Sequence, residues 1–80
     1  MEVTYYVVVP FDRDPEGDLT PGEAQELPNA RAAERRAAAL ALQHAGAVAF
    51  SRTGDPAIGE FRDAELIARF GKVDLDAFNA

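Results

Sequence analysis

The stretch Asn29 to Ser51, NARAAERRAAALALQHAGAVAFS, constrains this chain more than any other, because an alanine-rich helix pattern runs straight into a strand pattern. Asn29 follows Pro28 and has the short polar side chain favoured at a helix N-cap. The residues after it are mostly strong helix formers, so a helix is predicted over Ala30–Ala45. At 3.6 residues per turn Ala33, Ala37, Leu40, Ala41 and His44 share one face. Side chains that small let a helix approach a sheet closely. Gly46 reads as a left-handed helix stop. Ala47–Thr53 (AVAFSRT) reads as a strand, with Val48 and Phe50 on one face and Ala47, Ala49 and Ser51 on the other.

The flanking segments must pack against this unit. Val3–Val9 (VTYYVVV) has the β-branched and aromatic composition of a strand. Both of its faces are largely apolar, which suits a central strand or one whose second face is covered. Pro10 is expected to end it, since proline has no N–H to donate. Phe11–Pro28 is read as an irregular acidic loop. Within it Thr20-Pro21-Gly22-Glu23 has the make-up of a helix start, with a tight turn and a short extended AQEL as the alternative. Gly54–Gly59 (GDPAIG) is turn chemistry. Asp63–Phe70 can be written as a short helix or as a strand. A return beside Ala47–Thr53 gives both segments a partner, so a strand is expected over Phe61–Phe70. The tail KVDLDAFNA is expected to dock through Val73, Leu75 and Phe78. The expected fold class is therefore α+β: a three-stranded mixed sheet in β-α-β-β order, with one main helix on one face. A right-handed crossover would make its first two strands parallel.

A chain of 80 residues suits one small domain, residues 1–80. The absence of cysteine removes disulfides, thiol nucleophiles and thiolate metal sites. A net charge of −6 argues against sequence-independent binding to nucleic acid or to an anionic membrane, both of which need a basic surface. MEVTYYVVVP has no basic leader, and its apolar run stops at Pro10. Neither a secretion signal nor a membrane span is expected, and the cytoplasm is the expected location.

The sharpest chemical pattern is Asp12-Arg13-Asp14-Pro15-Glu16-Gly17-Asp18-Leu19-Thr20-Pro21-Gly22-Glu23. Laid on a twelve-residue calcium loop, it places Asp12, Asp14, Glu16 and Asp18 at positions one, three, five and seven. Gly17 falls at six and Glu23 at twelve. A hard cation needs that set of oxygens, a glycine at the sharp bend and a closing glutamate. The stretch resembles the EF-hand loop over these residues only. It departs at position five, which is a longer Glu, and at Pro15, which pushes Asp14 away from helical angles. A strand rather than a helix enters it. The plain alternative is an acidic surface loop.

Elsewhere the chemistry is thin. His44 is the one histidine, and a His in the last helical turn is favoured there by the helix dipole. Ser51 is the one serine and sits in a strand. Asp55, Glu60, Asp63 and Glu65 read as turn carboxylates. No catalytic residue and no cofactor is expected, calcium aside. Tyr6 and Val8 are assigned to the sheet face that the helix leaves open, and Leu42 falls off the helix's apolar stripe. Tyr6, Val8 and Leu42 are accordingly the candidate interface for a homodimer or another protein.

YYVVVPF, the alanine-rich helix and GAVAFSRTGDPAIGEF together resemble a family of small bacterial proteins, best marked by AFSRTGDP. That resemblance implies no activity. The opening also resembles the antitoxin family with a partial RNase-H-like fold, which begins with a YY strand and an acidic turn. On this reading the hairpin that precedes that family's helix is missing here, and strands follow the helix instead. The leading expectation is a non-enzymatic protein-interaction or assembly module that self-associates. The alternatives are a calcium-binding protein using Asp12–Glu23 and an antitoxin-like partner protein.

Overall fold

The computed structural model describes residues 1–75, so Phe78 lies outside the described residues. In chain order the elements are β1 (Val3–Arg13), β2 (Leu19–Pro21), β3 (Gln25–Leu27), α1 (Ala30–Leu40), β4 (Gly46–Asp55), β5 (Glu60–Phe61) and β6 (Glu65–Gly71). They form one six-stranded sheet in which each pairing is antiparallel. β1 and β4 are its centre, paired from Val3↔Gly54 to Phe11↔Gly46. β2 and β3 both pair with the other side of β1, and β5 and β6 with the outer side of β4.

This overturns the expected three-stranded mixed sheet in β-α-β-β order. The reason lies in Phe11–Pro28, which is not a loop. It finishes β1, turns at Asp14–Asp18 and runs back along β1 as β2 and β3. That extra reversal puts β4 antiparallel to β1. The helix instead connects β3 to β4, two strands that run the same way with β1 between them. The hairpin expected to be missing before the helix is therefore present, and the TPGE helix start is replaced by extended chain.

Pro10 does not end β1 either. Its carbonyl accepts from the Gly22 N–H at 2.7 Å, and in extended chain a residue's N–H and C=O point to the same side. The missing donor of Pro10 thus faces the interruption between β2 and β3, where no ladder bond is lost. On its other side Pro10 stands opposite Ala47 in the pairing with β4.

α1 begins at its predicted cap: the Asn29 side chain accepts from the Ala32 N–H at 2.8 Å. It ends at Leu40, five residues before the predicted Ala45. Beyond Leu40 the bonds tighten to i→i+3 (Leu42 N–H to Ala39 O, Gln43 N–H to Leu40 O) and the chain drops onto the sheet. Gly46 takes no left-handed conformation. A Cβ there would lie 2.2 Å from the Lys72 carbonyl oxygen, so the glycine lets the chain just after β6 approach the start of β4 closely.

The sheet is covered on both faces. Ala33, Ala37 and Leu40 of α1 pack on Val8, Ala47 and Ala49, with Tyr6, Leu27, Ile67 and Phe70 at the margins. On the far face Val9, Phe11 and Val48 form a second cluster. Gly71 turns the chain with φ +70°, after which Val73 and Leu75 pack over that cluster. No helix is long and apolar enough to cross a membrane among the described residues.

Candidate functional site

The five carboxylates proposed for calcium do not come together. Asp12 is still in β1, cross-strand from Thr20, and its Oδ2 meets His44 Nδ1 at 2.8 Å. That pair ties the turn after α1 to the base of the hairpin. Glu23 is outside the cluster, in the connection between β2 and β3. Asp14, Glu16 and Asp18 do converge, with ligand atoms within 4.8 Å of one another. The Asp14 carboxylate already accepts from the N–H groups of Glu16 and Asp18, each at 2.9 Å. Arg13 Nη1 donates to the Gly17 carbonyl at 2.7 Å. These bonds close a five-residue hairpin turn, and Asp14 is the residue that shapes it.

The candidate interface residues fall differently from expectation. Val8 is fully buried under α1, and Tyr6 packs beside it. Both belong to the covered face, so their assignment to an open face is corrected. The signal that separates the faces is the pair of small residues Ala47 and Ala49. They stand opposite Pro10 and Val8 and let α1 come close. Leu42 is 87% exposed in the turn after the helix.

The exposed apolar surface lies on the far face, toward β5 and β6. Phe61 pairs with Gly54 and Leu66 with Phe50, so both project away from α1. Leu66 is 54% exposed and Phe61 39%. The Phe61 ring lies 6.0 Å from that of Tyr5, and the Arg52 guanidinium lies 5.8 Å over it. Arg52 Nε is buried with no hydrogen-bond partner among the described residues. Arg69, cross-strand from Val48, carries the same face one step further along β6. At the β4–β5 turn, Ile58 (65% exposed) and Phe61 line a shallow depression of ≈ 370 Å³ with Glu2, Asp55, Glu60 and Arg62. Its rim charges are largely spent: Arg62 Nη2 donates to both Glu2 oxygens at 2.6 and 2.7 Å, and the terminal amine meets Asp55 at 3.1 Å.

Sequence reasoning missed Arg52, Ile58, Phe61 and Leu66. Strict alternation along Phe61–Phe70 would put Leu66 on the same face as Ala68 and Phe70. A register shift between Ala49 and Phe50 breaks that alternation. It leaves Ile67 on the helix side and turns Leu66 to the other. The carboxylates first grouped as turn residues do not form one site: Asp55 accepts from the Ala57 N–H at 2.9 Å and shapes its own turn. Comparisons with protein-family models, curated proteins and solved structures gave no match.

Proposed function

We propose that this chain is a non-enzymatic protein-interaction module whose docking surface is the far-face strip of Ile58, Phe61 and Leu66. The observation that carries the reading is exposure. Three large apolar side chains stand in solvent along one margin of a sheet that is otherwise packed on both faces. A scattered exposed leucine is ordinary, but Phe61 and Leu66 lie on one face of the sheet, registered four residues apart along β4, with the Arg52 guanidinium and the Tyr5 ring beside Phe61. That mix of apolar, aromatic and arginine side chains is the composition of an interface core. The occupant is a second copy, as in self-association, or another protein. An antitoxin-like role is one form of the second case.

Leu66→Ser tests the reading. Half-exposed, Leu66 contributes about 1 kcal/mol or less to folding by area, so the variant should stay folded with a urea midpoint near wild type. Its association, with itself or with a partner, should weaken at least tenfold. A loss of 2 kcal/mol or more would identify Leu66 as core and end the proposal.

A second reading is supported by one observation, the convergence of Asp14, Glu16 and Asp18. Calcium binding there would use three carboxylates of the hairpin tip, one of them already engaged by backbone N–H groups.

A further inference from the structure

We infer that the far-face strip accepts an acidic, apolar protein segment, one in which carboxylates alternate with aliphatic side chains. The inference rests on the docking reading above and names the chemistry of the occupant. The strip combines two components. Its apolar part is Phe61 and Leu66, backed by Phe50, cross-strand from Leu66, and by the Tyr5 ring, 6.0 Å from that of Phe61. Its charged part is Arg52 and Arg69, on the same face. Neither arginine makes an ion pair among the described residues.

The sign of the free charge decides between partners. The chain carries a net −6, yet the charges that β4 and β6 turn to this face are arginines. Glu65 stands cross-strand from Ser51 and so belongs to the helix side. Arg52 is held in place by packing on Phe61, with a buried Nε that finds no acceptor within the described residues. A buried donor left unpaired is costly. A partner supplying oxygens beside the ring improves the surroundings of that guanidinium, and the charge-assisted bonds to its remaining N–H groups are the strong kind. A second copy presenting the same strip would bring arginine against arginine. At about 0.15 M salt the screening length is about 8 Å, so carboxylates on the helix side contribute little repulsion across the sheet.

The chain itself offers a precedent on this face. Val73-Asp74-Leu75 alternates apolar and acidic residues, and its Val73 and Leu75 sit on the Val9–Phe11–Val48 end. The strip toward β5 and β6 continues that surface with arginines added.

The test uses the full chain and two synthetic probes, the capped peptides LDLDLDL and LKLKLKL, titrated at about 0.15 M salt and followed by amide NMR. The expected result is saturable shifts at Phe61, Leu66 and Arg69 with the aspartate peptide, and at least tenfold weaker binding of the lysine peptide. Arg52→Gln and Arg69→Gln should each weaken the aspartate peptide severalfold while leaving the spectrum folded. Arg69 is exposed, so its variant remains informative even if loss of the Arg52–Phe61 packing disturbs the fold. Equal or tighter binding of the lysine peptide overturns the inference, as does binding unaffected by both variants. A dilution series on the free protein separates the two proposals. Concentration-dependent shifts at Phe61 and Leu66, without peptide binding, make a second copy the occupant; they overturn the acidic segment and retain the interaction module. No response to peptide or dilution removes both.

Discussion

Asn29 and Gly54 show what a single position contributes here. The Asn29 side chain satisfies one of the orphan N–H groups at the start of α1. Asn29→Ala should lower stability by about 1 kcal/mol, seen as a fall in melting temperature of roughly 4–8 °C for a domain of this size. Gly54 faces a different demand. A Cβ there would lie 2.2 Å from the Glu60 carbonyl oxygen and 2.6 Å from Phe61 Cα. Gly54→Ala should therefore push β5 away from β4, destabilise by about 1–3 kcal/mol and move the amide signals of Glu60 and Phe61 most. An unchanged urea midpoint would contradict the close approach. The cap was legible in the sequence because it depends on residues three apart. The need at Gly54 was not, since the crowding comes from a strand across the sheet. Arg52 is similar: its place over Phe61 follows from a register that no local pattern encodes.

At the scale of elements, α1 meets the sheet through a buried stripe of Ala33, Ala37 and Leu40, small at two of its three positions. Ala33 and Ala37 are fully buried against a sheet surface that includes Ala47 and Ala49. Ala37→Leu should overpack that contact and lower stability by about 1–3 kcal/mol, with the largest chemical-shift changes in α1 and in β4 near Ala49. The stripe was readable from its 3.6-residue period. The hairpin of β2 and β3 was not, because two strands of three residues each are too short to show alternation. Proline and acidic residues around them point to a loop. The hairpin tip carries its own prediction. If calcium binds there, millimolar additions should shift Gly17 and Asp18 and leave Glu23 unmoved, since Glu23 is not among the converging carboxylates. A response that includes Glu23 would require the chain after Pro21 to close over the ion and would revive the twelve-residue loop.

For the molecule as a whole, the feature that matters is a sheet buried on both sides. Val8 and Val48 are each fully buried, one under the helix and one on the face that Val73 and Leu75 cover. Val8→Ala and Val48→Ala should cost about 2 kcal/mol each, two methyl groups plus incomplete collapse. Comparable urea-midpoint shifts would confirm two cores; a neutral Val48→Ala would mean an open far face. The sequence showed that both faces of the first strand are apolar, yet alternation alone does not tell which one a helix will choose. That ambiguity moved Tyr6 and Val8 to the wrong side and hid the strip at Phe61 and Leu66.

The central pairing of β1 with β4 also has a consequence in time. β1 is made before β4, and its Val3 end meets its partner Gly54 about fifty positions later, which at roughly 5–20 residues per second is several seconds of synthesis. Until then the nascent VVV run can be shielded on one edge only, by its own hairpin with β3. The turn at Asp14–Asp18, which sends the chain back along β1 toward β3, is made well ahead of the central pairing in synthesis order.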